Sequence, residues 1–216
     1  MPIIISARSR QKACSVSRAG IGVPQSVVEQ AGWKQARDKV EIGYIPDVKC
    51  ILISKASESP EGFLLTFANT RSKTGARIAC QSFARGYLQA VTVLPKRNLR
   101  AIVFPDDRWK VALFLEELPW QTEEFSKKGV ENVDKEALGV YHLLGRQSAI
   151  LRVGQGKIKE RINAHLNDQV RFMPTVKAFR YARIAVKEDA ELLEKSLIAQ
   201  YEAETGALPP LNDIRS

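Results

Sequence analysis

The chain has 216 residues, 44% of them hydrophobic and 26% charged, enough to bury one large core or two small ones. No apolar run approaches the roughly 18 residues of a transmembrane helix, and Met1 to Ile5 is too short for a secretion signal; a cytoplasmic protein with no membrane partner is expected. The net charge of +9 favours a polyanionic partner, because each phosphate met by Lys or Arg releases counterions.

That charge is unevenly spread. Residues 1–117 carry 18 basic and 10 acidic side chains, residues 118–137 carry 3 and 5, and residues 138–216 carry 12 and 9. Cys14, Cys50 and Cys80 lie far apart and form no Cys-x-x-Cys pair, and there are only two histidines. A zinc site is therefore not expected, and the cysteines read as buried thiols.

In chain order, the first half reads mainly as strands. Pro24 precedes a short helix over Gln25 to Ala31. Lys39 to Tyr44 alternates apolar and polar residues, Pro46-Asp47 turns the chain, and Cys50 to Ile53 follows as a buried run. Gly62 to Phe67, Arg77 to Cys80, Leu99 to Phe104 and Lys110 to Leu115 are further strands, separated by turn signals such as Pro105-Asp106-Asp107. The polar, acidic stretch 118–137 reads as a linker with about one turn of helix.

After the linker the pattern changes. Val140 to Leu144 and Ser148 to Val153 form two strands joined by Gly145-Arg146-Gln147. Lys157 to Leu166 is helical, with Ile158, Ile162 and Leu166 on one face. Phe179 to Val186 is a third strand, and Glu188 to Glu204 a helix with acids in its first turn and Gly206 past its end.

This strand, strand, helix, strand, helix order carries a series of spaced residues: Gly139-Val140-Tyr141, Arg152-Val153-Gly154 some ten residues on, Arg161 and His165, Glu194 with Leu197-Ile198, and Pro210-Leu211-Asn212. Together they resemble the GIY-YIG nuclease domain over about Gly139 to Asn212. Each piece alone has an ordinary reading. Tyr141 could be a core tyrosine, Arg161 and His165 a solvated face, Glu194 a structural partner of an arginine, and Asn212 a turn cap. Their shared order is what the resemblance explains.

The resemblance implies Mg²⁺- or Mn²⁺-dependent phosphodiester hydrolysis. Tyr141 would be the general base on water, and Arg161 would neutralise the phosphorane. Glu194 would hold the metal, His165 would orient Tyr141 or shuttle a proton, and Asn212 would play a supporting part. The residues themselves are compatible with these roles. Arg161 and His165 share a helix face at i, i+4. Glu194 falls in an otherwise apolar stripe, where a carboxylate needs a partner or a cation, and Mg²⁺ accepts one carboxylate plus water. Arg152 departs from the family, whose second motif usually begins with tyrosine. It either substitutes by polarising water or phosphate, or weakens the site.

Residues 18–53 resemble a second family, the swapped-hairpin DNA-binding modules of transition-state regulators and antitoxins. Gly20-Ile21-Gly22-Val23-Pro24 is followed by Gln25 to Trp33 and then Asp38-Lys39-Val40-Glu41-Ile42. A fainter echo pairs Cys14 with Cys80 and Asp47 to Ile51 with Asp107 to Val111, which is a tandem repeat of about 13–53 and 79–115 or chance similarity.

The expected fold class is α+β: a β-rich, swapped-hairpin-like domain over 1–117, the linker 118–137, and a nuclease domain over 138–216 with a small antiparallel three-stranded sheet flanked by helices. The expected partner is double-stranded DNA, touched by Arg8, Arg10, Lys12, Arg18, Lys157 and Lys159, and the protein could act as a homodimer. Function then reads as a site-specific, restriction-type endonuclease. The alternatives are a repair or mobile-element nuclease, a DNA-binding regulator with an inactive nuclease fold, or an RNA-cleaving toxin-like enzyme.

Overall fold

The computed structural model describes residues 3–5, 13–34, 37–56, 62–69, 74–99, 101–104, 111–168 and 175–212. The chain forms two compact units, Met1–Glu117 and Leu118–Ser216.

The first unit is one antiparallel sheet. Its strands are β1 (Ile3–Ile5), β2 (Cys14–Ser17), β3 (Gly20–Val23), β4 (Lys39–Ile45), β5 (Cys50–Lys55), β6 (Phe63–Asn69), β7 (Thr74–Ile78), β8 (Lys96–Leu99), β9 (Ala101–Val103) and β10 (Val111–Phe114). They lie in the order β1-β9-β10-β5-β4-β6-β7-β3-β2-β8. Only one residue separates β8, at one end, from β9, second from the other, so the sheet curls towards a closed barrel. Helix α1 (Gln25–Gln30) buries Val27 and Val28. A π-helical stretch, Ser82–Leu88, runs into α2 (Gln89–Val91) and buries Ala84 and Leu88.

The pairing repeats itself. Hairpin β2–β3 joins hairpin β6–β7 through β3 and β7, and hairpin β4–β5 joins β9–β10 through β5 and β10. The cross-links are β4 with β6 and β2 with β8. Leu52 faces Ala112, with Ile51 opposite Leu113 and Ile53 opposite Val111. That register relates the two hairpins by the same sixty-residue offset as the echo of Asp47 to Ile51 in Asp107 to Val111. Residues 107–110 themselves lie outside the described set. The Cys14 and Cys80 echo has no such counterpart, since Cys14 opens β2 and Cys80 follows β7.

The core explains the strands. β5 is buried from Cys50 to Ser54, as a strand in mid-sheet covered on both faces must be. β2 alternates, with Cys14 and Val16 buried and Ser15 and Ser17 half-buried. All three cysteines are buried free thiols, and burial pushes Cys14 up to about 12 and Cys80 to about 11.

The second unit is a four-stranded antiparallel sheet in the order β11-β14-β12-β13. Its strands are β11 (Gln121–Glu124), β12 (Leu138–Leu144), β13 (Ile150–Lys157) and β14 (Ala178–Arg183). Its helices among the described residues are α3 (Lys127–Glu131), α4 (Ile158–Asn167) and α5 (Lys187–Thr205). Phe125, Val130 and Val133 pack in the same core as Tyr141, Ile158, Ile162 and Phe179.

The expected fold class is thereby corrected. Among the described residues the protein is β-rich, with a ten-stranded, barrel-like sheet and a separate four-stranded sheet, in place of a three-stranded sheet flanked by helices. Residues 118–137 are built into the second unit, not strung out as a linker. β11 is polar along its whole length, Gln-Thr-Glu-Glu, and still pairs with β14, because an edge strand needs only its backbone to extend a sheet. β13 also runs on through Gln155-Gly156 to Lys157, beyond Val153 where the strand was expected to end.

Candidate active site

Tyr141 sits in the middle of β12, between Gly154 of β13 and Tyr181 of β14. Two glycines of the motifs make room here. At Gly139 a Cβ would run into the carbonyl oxygen of Ala182, so only glycine lets β14 approach. At Gly154 a Cβ would overlap the phenol ring and hydroxyl of Tyr141, so the ring lies flat across the neighbouring strand.

Helix α4 forms because Ile158, Ile162 and Leu166 give it one apolar face, and His165 is buried on that face with them. The Tyr141 hydroxyl meets Nε2 of His165 at 2.7 Å, and the rings are 5.7 Å apart. Which of the two donates follows the imidazole tautomer. Tyr141 is fully buried and His165 is 7% exposed, so the phenol faces the imidazole and not bulk water. Arg161, one turn earlier, is exposed.

Glu194 lies half-buried on α5, which packs against β12 and β13. Burial pushes its carboxyl above the ordinary range, Arg161 and Arg152 pull it back, and Glu191 adds to the rise. Arg152, Arg161 and Glu194 thus share one electrostatic neighbourhood. Arg152 is tethered, with Nη1 donating to the carbonyl of Leu211, and its buried Nε meets no partner among the described residues.

Asn212 has a structural task. Its Oδ1 accepts from the backbone N–H of Val153 and its Nδ2 donates to the Val153 carbonyl, both at 2.8 Å. The Leu211 N–H bonds the Leu151 carbonyl at 2.8 Å. The chain end therefore closes the edge of β13 and fixes the strand that carries Arg152.

The expected DNA contacts are scattered. Lys157 is exposed and sits 3.7 Å from Glu136 and 3.5 Å from Glu160. The Lys159 ammonium donates to the carbonyls of Glu131 (3.4 Å) and Val133 (3.2 Å), tying α4 to the end of α3. Arg18 is exposed in the turn between β2 and β3. Arg8, Arg10 and Lys12 lie outside the described residues.

Among the described residues no three His, Cys, Asp or Glu side chains gather into a metal cage. Glu194 alone fits a hard cation that keeps most of its water and takes further oxygen from a phosphate. Among them, too, no helix is long and apolar enough to cross a membrane.

One cluster went unread in the sequence. On the opposite face of the sheet from Tyr141, His142 pairs across the strands with Arg180, whose Nε donates to His142 Nδ1 at 3.1 Å. Trp120 lies against both, 4.5 Å from the imidazole and 4.6 Å from the guanidinium carbon. Burial first, then the charge of Arg180, drives His142 down to about 3. The only available signal was alternation, which places His142 on the other face from its neighbour Tyr141. In comparisons with known proteins, no family model, no curated protein and no solved structure matches this chain.

Proposed function

We propose that the protein is a divalent-metal-dependent endonuclease that hydrolyses phosphodiester bonds in double-stranded DNA, with the second unit catalytic and the basic first unit binding DNA. The observation that carries this reading is the Tyr141–His165 hydrogen bond, set in the unit where Arg152, Arg161 and Glu194 share one field. A restriction-type, site-specific enzyme acting as a dimer is the form we favour, since a second, DNA-binding unit serves an enzyme whose location on the duplex matters. Repair or mobile-element cleavage uses the same chemistry.

The chain's own residues account for the proton movements. As water attacks phosphorus, it loses a proton. Tyr141 accepts that proton as it passes its own to His165 Nε2, so no free phenolate has to form. This requires the tautomer in which Tyr141 donates. Arg161, exposed beside the site, meets the charge gathering on the phosphoryl oxygens. Glu194 would hold the cation, which would supply Lewis-acid stabilisation of the leaving oxygen. The bond from phosphorus to that oxygen breaks, the oxygen takes a proton from solvent, and His165 then returns its extra proton to solvent.

A second reading is favoured by two observations: Tyr141 is fully enclosed, and Arg152, where the family has tyrosine, is tied to Leu211. These suit a DNA-binding regulator whose nuclease fold is inactive.

Incubation of the purified protein with plasmid and linear DNA, in Mg²⁺ and in EDTA, separates the two. Discrete metal-dependent fragments support the site-specific enzyme, and patternless cleavage supports a non-specific nuclease. Salt-sensitive binding with no cleavage transfers the case to the regulator. Removal of residues 1–117 is expected to weaken DNA binding and flatten its salt dependence. Unchanged binding would take the first unit out of DNA recognition.

A further inference from the structure

The helical stretch from Ser82 to Val91 has two apolar faces, and the core accounts for only one. Ala84 and Leu88, four residues apart, are buried. Phe83 and Tyr87, beside them at the same spacing, reach towards solvent: Phe83 is half-buried and Tyr87 is 43% exposed. Val91, one turn further, and Val93, just past the helix, are 37% and 82% exposed. Six large apolar side chains are exposed among the described residues, and three of them fall between Tyr87 and Val93. Scattered exposed apolar groups are ordinary, but a run of them along one element marks a surface that meets something.

The rings of this stripe are held in place. Phe83 and Tyr87 stack with centroids 6.0 Å apart and planes 12° from parallel. Tyr44 of β4 makes T-shaped contacts with both, at 6.3 Å and 5.2 Å. Such contacts fix the orientation of a ring, and an ordered ring loses little entropy when a flat group settles on it.

Charge says which flat group. From Gly62 to Pro105 the chain carries seven basic residues and no acidic one, which is seven of the eight excess positive charges of residues 1–117. Arg85 leaves the same helix and is exposed, as is Arg97 on β8. At the valine end the Thr92 hydroxyl donates to Glu116, whose carboxylate is offset by Lys49 at 2.6 Å and Lys96 at 3.7 Å. A second copy of the chain would bring the same positive charge to this contact and be repelled. A polyanion is attracted, and nucleic acid is the polyanion that also carries flat apolar faces. In a duplex those faces are stacked on one another, and in a single strand they are free.

We propose that Tyr87, backed by Phe83 and Tyr44, is a stacking platform for the bases of a single-stranded stretch of nucleic acid, with Arg85 meeting its phosphates. This deepens the reading of the first unit as the nucleic-acid-binding one, by naming the surface and the state of the strand it takes.

The test uses the whole protein in EDTA, so that no cleavage enters. Fluorescence anisotropy follows a short labelled oligothymidine strand and, separately, a duplex of equal length. The expected result is saturable binding of the single strand, weakened about tenfold in Tyr87→Ala and kept in Tyr87→Phe, which retains the ring. Arg85→Gln should lower the slope of log affinity against log salt by about 0.7. No binding of the single strand, or equal binding by a folded Tyr87→Ala, would overturn the platform. A loss in Tyr87→Ala that appears for the duplex alone would overturn it too. Should that variant fail to fold, Val93→Glu decides, because it sets a carboxylate on the stripe at an exposed position: weaker single-strand binding supports the platform, and unchanged binding overturns it. Anionic lipid vesicles are the control. Vesicle binding that depends on Tyr87, with no oligonucleotide binding, would give the stripe to a membrane surface and overturn the proposal. Metal-dependent duplex cleavage without single-strand binding would remove this platform and keep the nuclease, and Tyr87-dependent strand binding without cleavage would do the reverse.

Discussion

Two carboxylates, one in each unit, show how differently the units use polar groups. Asp38 in the first unit is buried, which by itself raises its pKa. The backbone N–H of Lys34 at 2.8 Å and the ammonium of Lys55 at 3.1 Å outweigh that and hold it below the ordinary range. Glu194 in the second unit has two arginines within electrostatic reach, and burial still keeps it above the ordinary range. Asp38 is a finished structural contact. Glu194 is an unfinished one, and an under-compensated carboxylate marks a place where a ligand would stabilise the protein.

The largest expected effect follows from that contrast. Glu194→Ala and Arg161→Ala should each lower cleavage on the order of 100- to 1,000-fold with the thermal transition retained. Normal cleavage by Glu194→Ala would end the metal assignment. Glu194 must be ionised to hold a cation, so protons and cation compete for it, and the acid limb of cleavage should move to lower pH as Mg²⁺ is raised, measured as rate against pH.

Next in size is the packing of Tyr141 on Gly154. Gly154→Ala should destabilise the second unit by about 1–3 kcal/mol through overpacking, read from denaturant unfolding. In the double variant with Tyr141→Ala the cost should fall short of the sum, because the clash has gone; strict additivity would mean that the two do not touch.

A third test concerns pH and stability. His142 stays neutral in the folded protein down to about 3, whereas an unfolded histidine gains its proton near 6.5. Between those values the unfolded chain binds the extra proton, so this group makes stability rise with pH from about 3 to 6.5 and level off above. His142→Phe should flatten that rise in urea titrations at pH 4, 5 and 6. An unchanged slope would place the dependence elsewhere. The smallest effect is expected for Asn212→Ala, which loses two hydrogen bonds at a strand edge. The cost is about 1–2 kcal/mol, with faster amide exchange at Val153.

Helix α4 was legible because Ile158, Ile162 and Leu166 repeat at its period, and α5 because acids open it and Gly206 closes it. The neighbourhood of Arg152, Arg161 and Glu194 followed from motif order. β11 was not legible, since four polar residues show no alternation, and neither was the helical stretch from Ser82 to Val91. The fold class was misread for a related reason. Alternation announces a strand but not its neighbours, and here β3 joins β7 and β5 joins β10 across some fifty to sixty residues of chain.

The sequence by itself determined which segments are strands and helices wherever one face is apolar, because burial of that face is a local, periodic property. It also determined the residue types available for chemistry. Only the tertiary structure decided that the N-terminal strands curl into one ten-stranded sheet, that Tyr141 is sealed against Gly154 and His165, and that His142 turns away to Arg180 and Trp120. Those outcomes depend on contacts between residues distant in the chain, which no local pattern encodes.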